Sequence, residues 1–228
     1  MSTTDALLAG ATGLIGREVA AAWAGPGTLH LLVRRPMPST TAASTATAAA
    51  AATETRQRVQ VVDFAALPPL PAATSAFCCL GTTIAVAGSQ AAFRAVDFDA
   101  VLAFAVAAKA AGVRRFGVVS SLGANPGARS FYSRVKGEME VALGALGFES
   151  LVIARPSLLA GDRASLNQPT RLGERLGLAV MVPLGGLIPL AWRPIPAAVV
   201  ARALLRAVAE GQPGVRVIES AALQRLGR

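Results

Sequence analysis

The apolar positions of this chain form two kinds of run. The short, nearly continuous ones are DALLA (5–9), LHLLV (29–33), VQVVDF (59–64), SAFCCLG (75–81), RRFGVVSS (114–121), SLVIARP (150–156) and VRVIES (215–220), and each reads as a strand. The longer ones repeat with helical spacing. One runs from the glycine-rich GATGLIG (10–16) to Trp23 and stops at GPG (25–27). A second covers 89–111, with Phe93, Val96, Val101, Phe104 and Ala108 near one face and Gly112 as its stop. The third spans Ser130 to Leu146, ended by Gly147, and the fourth spans 196–211, with Pro196 at its start. Strands alternating with helices predict an α/β fold: a doubly wound parallel sheet with all strand C-terminal ends on one edge, where ligands bind.

Composition supports this architecture. The 228 residues suit one domain, and 53% are hydrophobic but only 5% aromatic, so the core is built from Ala, Val, Leu and Ile. Residues 37–58 are low-complexity Ala/Thr/Ser with no apolar face, and read as a loop or a frayed surface helix. Cys78 and Cys79 are adjacent and staple nothing, and the first residues carry no basic cluster, so the cytosol is the expected compartment. The single histidine, His30, argues against a His-based triad or a multi-His metal site, and reads as an ordinary strand residue. The net charge of +9 raises a nucleic-acid reading, but the arginines are scattered and no aromatic residues interleave them. A solvated arginine surface with a few phosphate contacts is the favoured account.

Candidate chemistry changes the picture more. Gly10, Gly13 and Gly16 sit between the first strand and first helix, spaced three and three. Gly10 would make the tight turn, Gly13 would let the backbone approach a pyrophosphate, and Gly16 would allow close helix–strand packing. Alone, such a triplet can be a plain turn. The second strand ends in Arg34-Arg35 where an acid would bind the ribose of NAD. Two guanidiniums could instead clamp a 2′-phosphate, which favours NADP(H); a solvated strand end is the alternative. Asp63 could approach the adenine or serve its own turn. LGTT (80–83) offers Gly81 for backbone approach and the hydroxyls of Thr82 and Thr83.

The stretch YSRVK brings together the only tyrosine, Tyr132, and one of two lysines, Lys136. At i and i+4 they share one helix face. A lysine ammonium favours phenolate, so the tyrosine can give a proton to a carbonyl oxygen. Ser121, at the end of the fifth strand, can hydrogen-bond that same oxygen; Ser120 is its close competitor.

Taken together, FCCLGTT (77–83), VVSSLGA (118–124), YSRVKGEME (132–140) and ARPSLLAGDR (154–163) resemble the short-chain dehydrogenase/reductase superfamily, of the atypical Rossmann-like kind with a GxxGxxG loop. By that resemblance Thr12, Gly13, Leu14 and Ile15 would line the pyrophosphate, and Arg34 and Arg35 would hold the NADP phosphate. Leu80 and Gly81 would pack along the cofactor. Tyr132 would be the proton donor, Lys136 would bind the nicotinamide ribose, and Leu159 would lie near the nicotinamide. Val96-Asp97 falls where many relatives have Val-Asn, which puts the usual water relay to the lysine in question. The implied activity is NADP(H)-dependent reduction of a small, apolar carbonyl compound. The alternative is an NADP(H)-binding regulatory or interaction module with little turnover; a sugar-nucleotide epimerase or dehydratase ranks lower. Residues 157–195 are expected to cover the substrate. Within them LGLAVMVPLGGLIPLAW (176–192) reads first as a greasy lid, next as a homodimer patch, and last as a membrane contact, since Pro183, Gly185, Gly186 and Pro189 break any spanning helix.

Overall fold

The computed structural model describes residues 4–36, 56–160 and 189–228. Seven parallel strands form one sheet. In chain order they are β1 (Ala6–Ala9), β2 (Thr28–Val33), β3 (Arg56–Val61), β4 (Ser75–Cys78), β5 (Arg115–Val119), β6 (Ser150–Arg155) and the last strand, Gly214–Glu219. A two-residue pair, β7 (Leu159–Ala160) and β8 (Ile195–Pro196), stands apart, which makes the last strand β9. The sheet order is β3-β2-β1-β4-β5-β6-β9. The order in which successive strands are added therefore reverses between β1 and β4, the switch point where such sheets open a crevice.

The inner strands are apolar on both faces because helices cover both. Ala6 and Leu8 of β1 face one layer with Val152 and Ala154 of β6; Leu7 and Ala9 face the other with Leu151 and Ile153. Helices α1 (Leu14–Ala22) and α6 (Ala197–Glu210) close the first layer through Ile15, Val19, Val200 and Leu204. Helices α4 (Val101–Ala110) and α5 (Phe131–Gly144) close the second through Phe104, Ala108, Met139 and Leu143. Two shorter helices, α2 (Ile84–Ala87) and α3 (Gln90–Arg94), follow β4, and α7 (Ser220–Leu226) ends the chain against α6.

Several elements depart from the sequence pattern, among them helix α2 and the β7–β8 pair, which it did not mark. The third strand lies at 56–61 rather than 59–64, so Arg56, Gln57 and Arg58 belong to it and not to the low-complexity segment. It is an edge strand with nearly every side chain exposed, so apolarity does not mark it; the buried Val62 and Phe64 that suggested a strand follow its end. The helix expected at 89–111 is interrupted. Its Ala95–Ala100 section winds as a π-helical turn, in which Asp97 is buried and Val96, expected on the inner face, is only partly buried. Helix α7 carried no strong pattern and was not expected.

The Ala/Thr-rich stretch 37–55 and the interior of the expected lid, 161–188, lie outside the described residues. The two ends of that lid segment are anchored. Ile195 N donates to Leu158 O at 2.9 Å, Ser157 Oγ donates to Arg193 O at 2.5 Å, and Gln224 Nε2 donates to Leu190 O at 2.7 Å. His30 is a strand residue on β2, as expected, and its Nε2 pairs with Asp5 Oδ2 at 3.1 Å.

Candidate active site

The turn after β1 shows why glycines stand there. Gly10 has φ +85°, and a Cβ on it would lie 2.5 Å from the Cys79 carbonyl carbon on the neighbouring β4 end. A Cβ on Gly16 would lie 2.0 Å from Gly10 O, so α1 can start this close to the strand only without a side chain there. Gly13 caps α1 with no side-chain hydrogen bond, which leaves the helix's first N–H groups open to an anion.

A groove of about 610 Å³ opens over this turn, lined by Gly10, Thr12, Gly13, Arg34, Asp63, Leu80 and Gly81 among others. It shares Gly13, Cys79, Leu80 and Gly81 with a second cleft of about 700 Å³ over the ends of β4, β5 and β6. Leu14, Ile15, Thr82, Ser121, Tyr132, Lys136 and Leu159 line that second half. The continuous crevice thus gathers most of the expected residues. Gly16 does not line it, because its role is internal packing. Arg35 is exposed but lines neither half: adjacent residues at a strand end diverge, and only Arg34 turns toward the groove. Asp63 borders the groove while its Oδ1 accepts from Ala65 N at 2.9 Å, so it holds its own turn as well. The Thr83 hydroxyl accepts from Val86 N at 3.3 Å as the cap of α2, so it is already engaged.

Lys136 is 3% exposed and Asp97 is 0% exposed, and Lys136 Nζ lies 2.7 Å from Asp97 Oδ1. Asp97 Oδ2 accepts from Thr82 N at 2.8 Å, tying the LGTT loop to the same carboxylate. Burial pushes the Lys136 ammonium down, but the opposing pull of Asp97, aided by Tyr132, leaves it above the ordinary lysine value. Tyr132 lies one turn earlier on α5, half-buried, with its ring 5.3 Å from that of Phe93. Burial pushes the Cys78 thiol up to about 12 and raises that of Cys79 as well, so neither offers a thiolate to the crevice.

The two serines at the β5 end have different surroundings. Ser120 Oγ donates to Glu140 Oε1 at 2.5 Å. Ser121 Oγ is buried and has no hydrogen-bond partner among the described residues, although it borders the cleft. Glu140 is in turn gripped by Arg155, whose Nε reaches Oε1 at 3.0 Å and whose Nη2 reaches Oε2 at 2.5 Å. Arg155 Nη1 also reaches Glu219 Oε1 on β9 at 2.9 Å. This network was not read from the sequence. Its signal was there: Tyr132, Lys136 and Glu140 follow at i, i+4 and i+8, so the stripe carrying the candidate chemistry continues into the clamp.

No protein-family model matches the chain. Among solved structures, MoeE5 in complex with UDP-glucuronic acid and NAD superposes with a TM-score of 0.67 at 20% identity, covering 94% of this chain and 75% of that one. The fold is thus a Rossmann-like α/β fold. Rat HTATIP2 is 36% identical over 177 residues, 74% of this chain and 69% of the relative. The mitochondrial protein FMP52 of Eremothecium gossypii is 34% identical over 231 residues, 97% of this chain and 96% of the relative. The chain belongs to the HTATIP2/FMP52 family. The FMP52 relatives of Coccidioides immitis and Emericella nidulans are also named as mitochondrial, which overturns the cytosolic expectation. Two adjacent cysteines without a disulfide do not say which compartment holds the chain. Among the described residues no helix is long and apolar enough to cross a membrane.

Proposed function

We propose that the protein is an NADP(H)-dependent reductase of a small, apolar carbonyl compound. The observation that carries this reading is the Ser121 hydroxyl, buried, without a partner among the described residues, and bordering one cleft with Tyr132 and Lys136. An unsatisfied buried hydroxyl costs about 1–3 kcal/mol, and a substrate carbonyl oxygen would relieve it. When bound, the dinucleotide supplies hydride. The chain's own groups do the rest. The open N–H groups at the start of α1 would hold the pyrophosphate, and Arg34 would hold the adenosine 2′-phosphate. Lys136 would bind the nicotinamide ribose, Ser121 would orient the carbonyl, and Tyr132 would give its phenol proton to the carbonyl oxygen. Leu122, Leu158, Leu159, Ile84 and Trp192 would exclude water and favour an apolar substrate.

The direct test follows NADPH oxidation with a panel of aldehydes and ketones. Tight NADPH binding without turnover of any of them would favour the regulatory-module reading instead. Fluorescence titration with NADPH and NADH tests the cofactor. Arg34→Ser is expected to weaken NADPH binding about tenfold or more and to leave NADH unchanged; equal affinities for the two in the wild-type protein would remove the NADP preference.

Trp192 is 62% exposed at the cleft mouth. Its indole offers a broad apolar surface to whatever enters. Trp192→Ala is expected to raise KM for an aromatic or branched aldehyde about tenfold with little change in kcat. A KM that does not respond to substrate size in this variant would remove Trp192 from the substrate contact.

A further inference from the structure

Asp97 occupies an unexpected position. The apolar pattern marks Val96 for the inner face, yet the π-helical turn at Ala95–Ala100 carries an acid that is completely buried. Single π-turns are frequent at functional sites. Here the buried acid meets the one buried lysine.

We propose that Asp97 is a positioning residue for the Tyr132–Lys136 site, fixing the Lys136 ammonium beneath the cleft and locking the Thr82 backbone to it. The proposal rests on the reading of Ser121, Tyr132 and Lys136 as the reacting groups. The geometry on both sides supports it. Oδ1 meets Lys136 Nζ at 2.7 Å and Oδ2 meets Thr82 N at 2.8 Å, so both carboxylate oxygens are engaged. A lysine or an aspartate this deeply buried alone would be strongly penalised in its charged form. Three groups face Lys136 among the described residues: Asp97 from the π-turn, Tyr132 from its own helix and Cys78 from β4. The Cys78 thiol is pushed up to about 12 by burial and supplies no counter-charge, and Tyr132 is the group that must keep its proton to donate it. Asp97 is therefore the counter-charge paired with the buried ammonium.

The pairing also bears on what the cleft accepts. Lys136 and Asp97 together carry no net charge, so the cleft floor does not attract a substrate carboxylate or phosphate as a lone ammonium would. A neutral carbonyl compound is the matching substrate class.

Two lysines in the chain make a direct test practical. Protein labelled with carbon-13 at lysine Cε gives one resonance for Lys109 and one for Lys136, and Lys109→Arg assigns them. In Asp97→Asn the amide oxygen can still accept from Thr82 N, but the charge is gone. Lys136 is expected to titrate about one pH unit lower, or more, than in the wild-type protein. The alkaline limb of kcat/KM is expected to fall with it, with kcat lowered more than KM is raised. An unchanged Lys136 titration overturns the proposal whether or not a substrate has been found, because the resonance needs no turnover. If Asp97→Asn does not fold, Asp97→Asn combined with Lys136→Met decides. Folding recovered in the double variant supports the pairing, and a double variant as unstable as the single one overturns it.

Discussion

Tyr132→Phe is expected to lower kcat/KM for carbonyl reduction about a thousandfold while leaving the NADPH dissociation constant within about twofold. The phenylalanine keeps the ring and its contact with Phe93, 5.3 Å between centroids, so the local packing of α5 survives. Only the hydroxyl is lost. In the wild-type cleft that hydroxyl lies one helical turn from a lysine paired with Asp97, and both border the cleft with the unpartnered Ser121 hydroxyl. A proton donor placed in a transition state contributes on the order of a hundred- to ten-thousandfold, so its removal should appear in kcat rather than in cofactor binding. Steady-state kinetics beside a fluorescence titration of NADPH separates the two. A variant with wild-type kcat would remove Tyr132 from the chemistry; one with lost NADPH binding would make its role one of holding the cofactor.

Arg155→Met is expected to cost about 3–5 kcal/mol of stability, because it leaves the Glu140 carboxylate buried with only the Ser120 hydroxyl for company. The lower end of that range is the better expectation, since the Arg155 side chain keeps 23% of its surface exposed. Arg155 joins β6 to α5 through Glu140 and to β9 through Glu219. The variant should therefore loosen the edge of the sheet and the helix carrying Tyr132 together. Urea denaturation gives the loss directly. Adding Glu140→Met to Arg155→Met should recover about half of it, since two apolar side chains need no partner; the unmet Ser120 hydroxyl limits the gain. Strictly additive losses in the two single variants and the double one would show that the pair is not coupled.

The sheet was legible in the sequence because its inner strands are buried on both faces and read as unbroken apolar runs. LHLLV and SLVIA need no alternation when helices cover both sides. The edge strand β3, RQRVQV, faces water along most of its length, and the apolar pattern placed it too far along the chain. The glycine turn was legible too, since its spacing reflects steric limits that few residues but glycine meet. Neighbouring residues at strand ends were harder. Arg34 from Arg35, and Ser120 from Ser121, differ in the direction each side chain takes, which depends on the strand's register and on partners such as Glu140 that lie far along the chain. The π-turn was hidden for a related reason. Asp97 shares the inner helical face of Phe93 and Val101, but apolarity marks Val96, and only the buried lysine on another helix accounts for an acid inside.

The small β7–β8 pair has a consequence for how proteins of this family can diverge. The chain departs at Ala160 and returns at Ile195 through hydrogen-bonded neighbours, with Ser157, Leu158 and Arg193 tying the same junction. Closing a chain excursion between ends that are already joined costs little more as it lengthens. Insertions, deletions and wholesale replacement between those two points therefore leave the strand ends that carry Ser121 and Leu159 where they are. The junction works as a socket: what lies between its two ends can be exchanged as a module while the sheet beneath it is kept.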